Sequence, residues 1–422
     1  MSTLSSINKL YIGVIVLLLA ILVFRFITYS KDIKEYQKGQ KITFTATLSE
    51  DPVVSAGTET FHLPGPGGVI SVVTDAKIGL RYGDVVAVSG IVGSRVTKSG
   101  RTQFVLYYPS IREKTDTSMT AGVVSYVQDK AAEVYTSVLP QTSSSLLLGI
   151  VFGRKQHFDY AFYKNLQQAG VLHVIAASGM NTSMVGAGLL FLFGLFLPRK
   201  VGLLFTIGGL LFYALLAGFA PSIMRATIMA VFAFSGGLIG RQYTAYLGLI
   251  LAGYLMLVWK PTLLSDVGFQ LSFMATLGII VFQPLLAPLR RGGLAFVGND
   301  LSTTLAAQIG TLPIMLATFG QYSLLSIPAN ALVLWMVPPL MILGSLAVIA
   351  GMVFLPLGSL LAFLCLPFLS FFIAVINRVG GMSYSLPVSS FPAFCIAGYY
   401  LLLLSVVVLV WRRNAWRKEA HN

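Results

Sequence analysis

Charge is scarce in this sequence, and acidic charge scarcer still. Only 10% of the 422 residues are Asp, Glu, Lys or Arg, where a soluble protein normally carries about a quarter. From Ser143 to the end the only acids are Asp159, Asp266, Asp300 and Glu419. A water-solvated surface over that whole stretch is excluded. Cysteine is nearly absent: Cys365 and Cys395 both lie in apolar runs and read as small buried hydrophobes, not as a disulfide framework. The histidines are His62, His157, His173 and His421, without a His-x-His-x-Asp-His cluster, so no two-metal hydrolase site can be assembled. No Gly-x-x-x-x-Gly-Lys-Ser/Thr loop occurs, which removes ATP binding by a P-loop. Ser178, His173 and Asp266 have the residue types of a triad, but no nucleophile-elbow motif accompanies them. No catalytic residue, metal or cofactor is expected, and the chain reads as a non-enzyme.

What is abundant is hydrophobicity, at 56% of residues and a mean hydropathy of +0.80. Apolar stretches of roughly 17 to 25 residues recur, long enough to cross about 30 Å of hydrocarbon. Their backbone polar groups must be satisfied internally, so they are read as helices. The first, Leu10 to Phe24, precedes Arg25 and no small-x-small cleavage site, and residues 1–30 are expected to form an uncleaved anchor. Further crossings are expected near 170–197, 201–218, 222–240, 244–259, 268–289, 303–320, 326–354, 357–377 and 391–411, for about ten in all. Amphipathic stretches within 120–169 are expected along the bilayer surface, and a basic tail fills 412–422. The fold class is thus a polytopic α-helical membrane protein, its helical domain spanning 170–411.

Between the anchor and the helices the pattern changes. Over residues 36–116 short segments alternate polar with apolar or β-branched residues, as half-buried strands do. Ile42–Leu48, Thr60–Leu63, Val69–Val73, Asp84–Val92 and Gln103–Tyr108 are the candidates, separated by breakers such as Pro64-Gly65-Pro66-Gly67-Gly68. Five such strands suit a small all-β barrel of the oligonucleotide/oligosaccharide-binding (OB) type. Phe44, Tyr82, Phe104 and Tyr107 lie among Arg81, Arg101 and other basic residues. Aromatics for stacking and cations for phosphates make a single-strand-binding face. The same residues also suit an aromatic core with a solvated surface, since the acids of this region nearly cancel its basic residues.

The net charge of +14 fits either an anionic partner or a membrane protein with basic cytoplasmic loops. With the N-terminus inside, Arg199-Lys200, Arg241, Arg290-Arg291, Arg412, Arg413, Arg417 and Lys418 fall in the cytoplasm, and only Lys260 and Arg378 fall in outer loops of the helical core. That asymmetry follows the positive-inside rule and places the β domain outside the cell membrane, with both termini cytoplasmic.

Polar residues inside the apolar region gather toward the outer face of this topology. His173, Ser178 and Asn181 precede or open one crossing, Ser222 and Arg225 open another, and Asp266 and Gln270 open a third. Ionisable residues in spans usually face a cavity or a partner. Ser222 and Arg225 are one turn apart and share a helix face. Arg225 is expected either to pair with Asp266 or to offer its guanidinium to phosphate. Ser178-Gly179 suits a polar mouth or close helix packing.

These stretches carry a family resemblance. His173 to Ser178-Gly179, Pro221-Ser222 with Arg225-Ala226, and Gly268-Phe269-Gln270-Leu271-Ser272-Phe273 resemble the competence domain of the ComEC/Rec2 family, as do Gln308, Gly310, Thr311, Pro313, Phe319-Gly320 and Asn330. The resemblance covers roughly residues 140 to 350, and the preceding β region resembles that family's N-terminal OB-type domain. It implies an inner-membrane channel through which single-stranded DNA enters the cytoplasm in natural transformation. It also implies partners: DNA, membrane lipid, a separate DNA receptor, a cytoplasmic motor, a nuclease and further copies of the chain. The sequence departs from the family in two places. Asn181 stands where many members have a histidine, and no metallo-β-lactamase-like sequence follows the last helix. The rival readings are a transporter or channel for a smaller anionic solute, and a scaffold whose buried polar residues only hold helices together.

Overall fold

A computed structural model describes residues 16–29, 36–48, 52–55, 58–65, 68–75, 80, 84–96, 102–114, 119–154, 158–175, 178–240, 242–286, 295–319, 321–323, 325–382, 385–387 and 392–419. An apolar helix, α1 (Val16–Tyr29), leads to a seven-stranded sheet: β1 (Lys41–Thr47), β2 (Val53–Ser55), β3 (Thr58–Gly65), β4 (Gly68–Asp75), β5 (Val85–Val96), β6 (Thr102–Tyr107) and β7 (Ser110–Lys114). All five expected strands are present. The short β2 and the terminal β7 are additional.

Strand order is β1-β5-β6-β4-β3-β2, with β7 also on β5. All pairings are antiparallel except β4 with β6. β6 and β7 form one run along β5, interrupted by a bulge. Val92 faces Leu106 and Ser89 faces Ser110, so three steps on β5 match four on its neighbour. Tyr108 absorbs the extra step with a φ of 47°, and its N–H donates to Val73 at 2.8 Å. One face of the sheet buries Ile42, Phe61, Leu63, Ile70, Val72, Val86, Val88, Val92 and Leu106.

The remainder is mostly helical. It comprises α2 (Met119–Thr136), α3 (Gln141–Phe152), α4 (Tyr160–Gln168), α5 (Leu172–Ile175), α6 (Gly179–Phe196), α7 (Arg199–Leu216), α8 (Pro221–Ile239), α9 (Ala245–Trp259), α10 (Val267–Phe282), α11 (Ala295–Phe319), β8 (Gln321–Ser323), α12 (Ser326–Val333), α13 (Val337–Val353), α14 (Leu355–Phe363), α15 (Leu366–Gly381), β9 (Ser385–Pro387) and α16 (Ala393–Glu419). β8 pairs with β9. Among the described residues five helices are long and apolar enough to cross a membrane, or six if α14 and α15, bent by 43°, count as one span. Helix α9 stops at Trp259 because Lys260-Pro261 cannot continue it. Helix α10 stops at Phe282, just before Pro284, well short of the expected limit at 289. The expected crossing at 326–354 is present as Ser326–Val353, in which a 3-10 turn over Leu334–Met336 joins α12 to α13.

Local chemistry sets the reversals that bring helix ends together. Pro198 separates α6 from α7. Between α7 and α8, Gly218 and Phe219 both have positive φ, and the Phe219 N–H reaches back to Ala214, closing the helix end. Pro221 then opens α8. The main helical core joins α2, α3, α4, α5, α7, α12, α13 and α15 around Tyr135, Leu146, Ile150, Val174, Val337 and Phe372. In helix α3, Ser143 to Leu147 and Gly149 to Phe152 are all buried, so protein encloses it.

Candidate functional site: a buried arginine between helices

Ser178 is the N-cap of α6, and its side chain accepts from the Asn181 N–H. The Ser178 hydroxyl donates to Asn181 Oδ1 at 3.0 Å, and Asn181 Nδ2 donates to the Ile150 carbonyl at 2.8 Å. Asn181 is 1% exposed. It clamps the start of α6 onto the end of α3. Tyr213 fastens the next carbonyl, that of Val151, at 3.2 Å.

Asp266 performs the same service for α10, accepting from the Phe269 N–H at 2.8 Å. The sequence left a pair between Arg225 and Asp266 open, and the structure does not form it. Asp266 is exposed and engaged as a cap. Arg225 reaches α10 further along, where Nη1 donates to the Ser272 carbonyl. Among the described residues no carboxylate pairs with Arg225, although only 8% of it is exposed. Its Nε is buried with no partner.

The guanidinium, on the second turn of α8, lies against the start of α6 and the second turn of α10. A Cβ placed on Gly179, the first residue of α6, would lie 2.6 Å from Arg225 Nη2 and 3.5 Å from the Ala226 Cβ. A Cβ on Gly268, the second residue of α10, would lie 4.0 Å from Pro221, the first of α8. The Ser-Gly pair therefore does two things: the serine caps α6 and the glycine admits the guanidinium. The contact is electropositive because it holds a buried guanidinium, and Asp266, at the start of α10, is engaged as a helix cap and not as its counter-ion.

The other expected residues are placed around it. Ser222, half-buried, lies one turn before Arg225 on α8, and Gln270, half-buried, turns its amide back to the Leu264 carbonyl at 2.8 Å. His173 lies on α5 and is described by its backbone alone. In the β domain Phe44 and Phe104 are partly buried against the core, Phe104 edge-on to Tyr36 at 5.6 Å. Tyr107 points the other way, 49% exposed, over Gly93. Arg81, Tyr82 and Arg101 lie outside the described residues.

Sequence reasoning noted Gln308 only for the family resemblance and missed its partner, Ser326. Gln308 on α11 donates to Ser326 on α12 at 3.3 Å, and Gly170, with a φ of +70°, packs against Ser326 and Ser323. It also missed Ser272 as a site residue, because hydroxyls in a helical apolar run usually bond back to their own helix.

The chain is 28% identical to the ComE operon protein 3 of Bacillus subtilis over 244 residues, covering 58% of this chain and 30% of that protein. It is 29% identical to an uncharacterized protein of Aquifex aeolicus over 182 residues, covering 43% of this chain and 41% of that one. The match thus spans less than half the length of either curated relative. No solved structure matches the chain. Residues 150–413, which hold the whole Arg225 site and all the helices from α4 to α15, match the family described as Competence protein, and to that family the chain belongs.

Proposed function

We propose that this chain forms a multi-pass conduit of the bacterial inner membrane that takes up single-stranded DNA in natural transformation, with its β domain outside to receive the strand. The observation that carries the reading is Arg225, a buried guanidinium with no carboxylate partner among the described residues, set between α6 and α10. A charge so placed is costly unless an anion offsets it. A strand bearing one phosphate per nucleotide supplies that anion repeatedly, and the low-dielectric surroundings make one cation act more strongly than it does in water.

The geometry also supports a β domain on the same side as this mouth. Arg25, near the end of α1, donates through Nε to the Val258 carbonyl at 3.0 Å and through Nη2 to the Trp259 carbonyl at 3.5 Å. The end of α1 therefore lies at the end of α9, which leads through a 3-10 turn over Pro261–Ser265 directly into α10. From Tyr29 the chain needs only seven steps to reach Tyr36, the first described residue of the β domain, a span of at most about 25 Å. In the N-inside topology of about ten crossings, all these ends are outer ends.

The strand order supports the OB-type reading, with its single parallel pairing of β4 with β6 and the long β5 shared by β1, β6 and β7. Tyr107, with Arg81, Tyr82 and Arg101, would supply stacking and phosphate contacts; Phe44 and Phe104 would support that face from beneath. His173, Ser178, Asn181, Ser222, Arg225, Asp266 and Gln270 would line or brace the mouth.

The test is Arg225→Ala in the source bacterium, reading transformation frequency together with protein level and membrane insertion. Transformation is expected to collapse while the protein persists. Normal transformation in that variant removes Arg225 from the mechanism and favours the scaffold reading. Normal transformation on deletion of the whole chain, with altered uptake of a small anion, favours the solute transporter.

A further inference from the structure

Arg225 Nε is not the sole unsatisfied group at this site. Ser272 Oγ is also buried without a partner. The two groups belong to adjacent helices already tied at one point, where Arg225 Nη1 donates to the Ser272 carbonyl. Thr276 Oγ1 donates to the same carbonyl at 3.0 Å. The main-chain oxygen of Ser272 is thus heavily used while its hydroxyl is idle. A buried donor left unpaired carries its whole desolvation cost, and buried polar atoms in native structures usually have a partner. Two orphans beside one guanidinium imply a missing third group.

Chemistry narrows that group. The arginine Nε–H is a donor and nothing else, and a serine hydroxyl can donate as well, so one acceptor atom satisfies both. The guanidinium excludes a cation. Asp266, at the start of α10, is exposed and engaged at Oδ1 by the Phe269 N–H. One uncompensated cation balances one negative charge, which suits the monoanionic phosphodiester better than a dianionic phosphate ester.

We propose that Arg225 Nε and Ser272 Oγ together hold one non-bridging oxygen of a phosphodiester, with Ser272 the residue that makes the site respond to that oxygen. This assignment rests on the conduit reading for its source of phosphodiesters, since membrane phospholipids carry the same group. Ser222 and Gln270, both half-buried, lie on the first turns of α8 and α10. Holding a single oxygen at a time fixes no base and no sugar, so a strand of any sequence satisfies the site in register after register.

The test uses the full chain in dodecyl maltoside, a detergent without phosphate. Three probes are titrated: a fluorescent oligothymidylate, the same oligonucleotide with neutral methylphosphonate linkages, and phosphatidylglycerol. Ser272→Ala is expected to weaken oligothymidylate binding about tenfold. Ser272→Thr, which keeps the hydroxyl, should bind as the parent does. Arg225→Lys, which keeps the charge but lacks Nε, should bind as weakly as Ser272→Ala. The methylphosphonate probe keeps one non-bridging oxygen but no charge, so it should bind the parent more weakly than the charged oligonucleotide. Unchanged oligothymidylate affinity in a folded Ser272→Ala protein overturns the proposal, as does equal affinity of the parent for the neutral and the charged probe. If the parent binds neither oligonucleotide but takes up phosphatidylglycerol in a Ser272-dependent way, the oxygen site stands with lipid as its occupant. The conduit reading then fails instead.

Discussion

The Tyr399 hydroxyl donates to the carbonyl of Ile309 at 2.9 Å, and Ile309 stands four residues before Pro313 inside α11. In an unbroken helix that carbonyl accepts from the residue at 313, but proline has no N–H to give. Tyr400 serves the neighbouring Gly310 carbonyl, also at 2.9 Å. Helix α16 is thus fastened to α11 where α11 cannot bond to itself. Buried carbonyls in an apolar setting need such partners, and membrane-protein helices bent at proline recruit them from neighbours.

Tyr399→Phe is expected to lower the melting temperature of the detergent-solubilised protein, with a loss of about 1 kcal/mol, as for other interhelical hydrogen bonds in membranes. The sharper measurement is a double-mutant cycle. Pro313→Ala restores an N–H to α11, so Tyr399→Phe should cost little in that background. An undiminished cost there would separate the tyrosine from the proline gap.

Gly179→Ala should separate function from folding. The added methyl group would come within 2.6 Å of Arg225 Nη2, the far end of a long side chain, with the Ala226 Cβ at an ordinary 3.5 Å. The guanidinium can swing aside, and alanine favours helix over glycine by about 1 kcal/mol. Melting temperature is therefore expected to hold or rise while transformation falls. A drop in both would mean that the glycine serves packing alone.

Gly278 and Gly310 call for the opposite result. A Cβ on Gly278 would run into the Ala306 carbonyl and come 3.3 Å from the Gly310 Cα, and a Cβ on Gly310 would run into the Met274 carbonyl. Backbone cannot swing away as a side chain can, so either alanine must push α10 and α11 apart. Both variants should be unstable in detergent. Gly237→Ala on α8, where a Cβ meets nothing within 4 Å, is the matched control and should be neutral or slightly stabilising.

The sequence was informative where one period or one residue type decides the outcome. Alternation located the five main strands, and the long apolar runs located the helices that qualify as spans. Parity within a strand also carried more than was read from it. Phe44 shares its face with Ile42 and Ala46, and Phe104 with Leu106, all on the core side, while Tyr107 falls on the opposite side. Contacts between distant segments were not legible. Asp266 has the residue type for an ion pair and for a helix cap, and only the position of α8 relative to α10 decides between them. Ser272, Tyr399 and Tyr400 look like incidental polar residues in apolar helices until α8 and α11 come alongside. The enclosure of α3 depends on α13 and α15, more than 180 residues downstream.

That parity gives the last prediction. Phe44→Ala and Phe104→Ala remove rings that pack on the β-domain core, so each should lower the stability of that domain, read as earlier proteolysis of the N-terminal region. Tyr107→Ala removes a half-exposed ring lying over Gly93, where a Cβ would come within 3.2 Å of the ring carbons. It should leave proteolysis unchanged and weaken single-stranded DNA binding, since a stacked base is worth about 1–3 kcal/mol. Raising the salt concentration should weaken the parent and Tyr107→Ala in parallel, because stacking does not depend on counterion release whereas phosphate contacts do. If Tyr107→Ala binds as the parent does while Phe44→Ala loses binding with its domain still protease-resistant, the strand lies on the edge near β1. The outward face of β6 would then have no part in holding it.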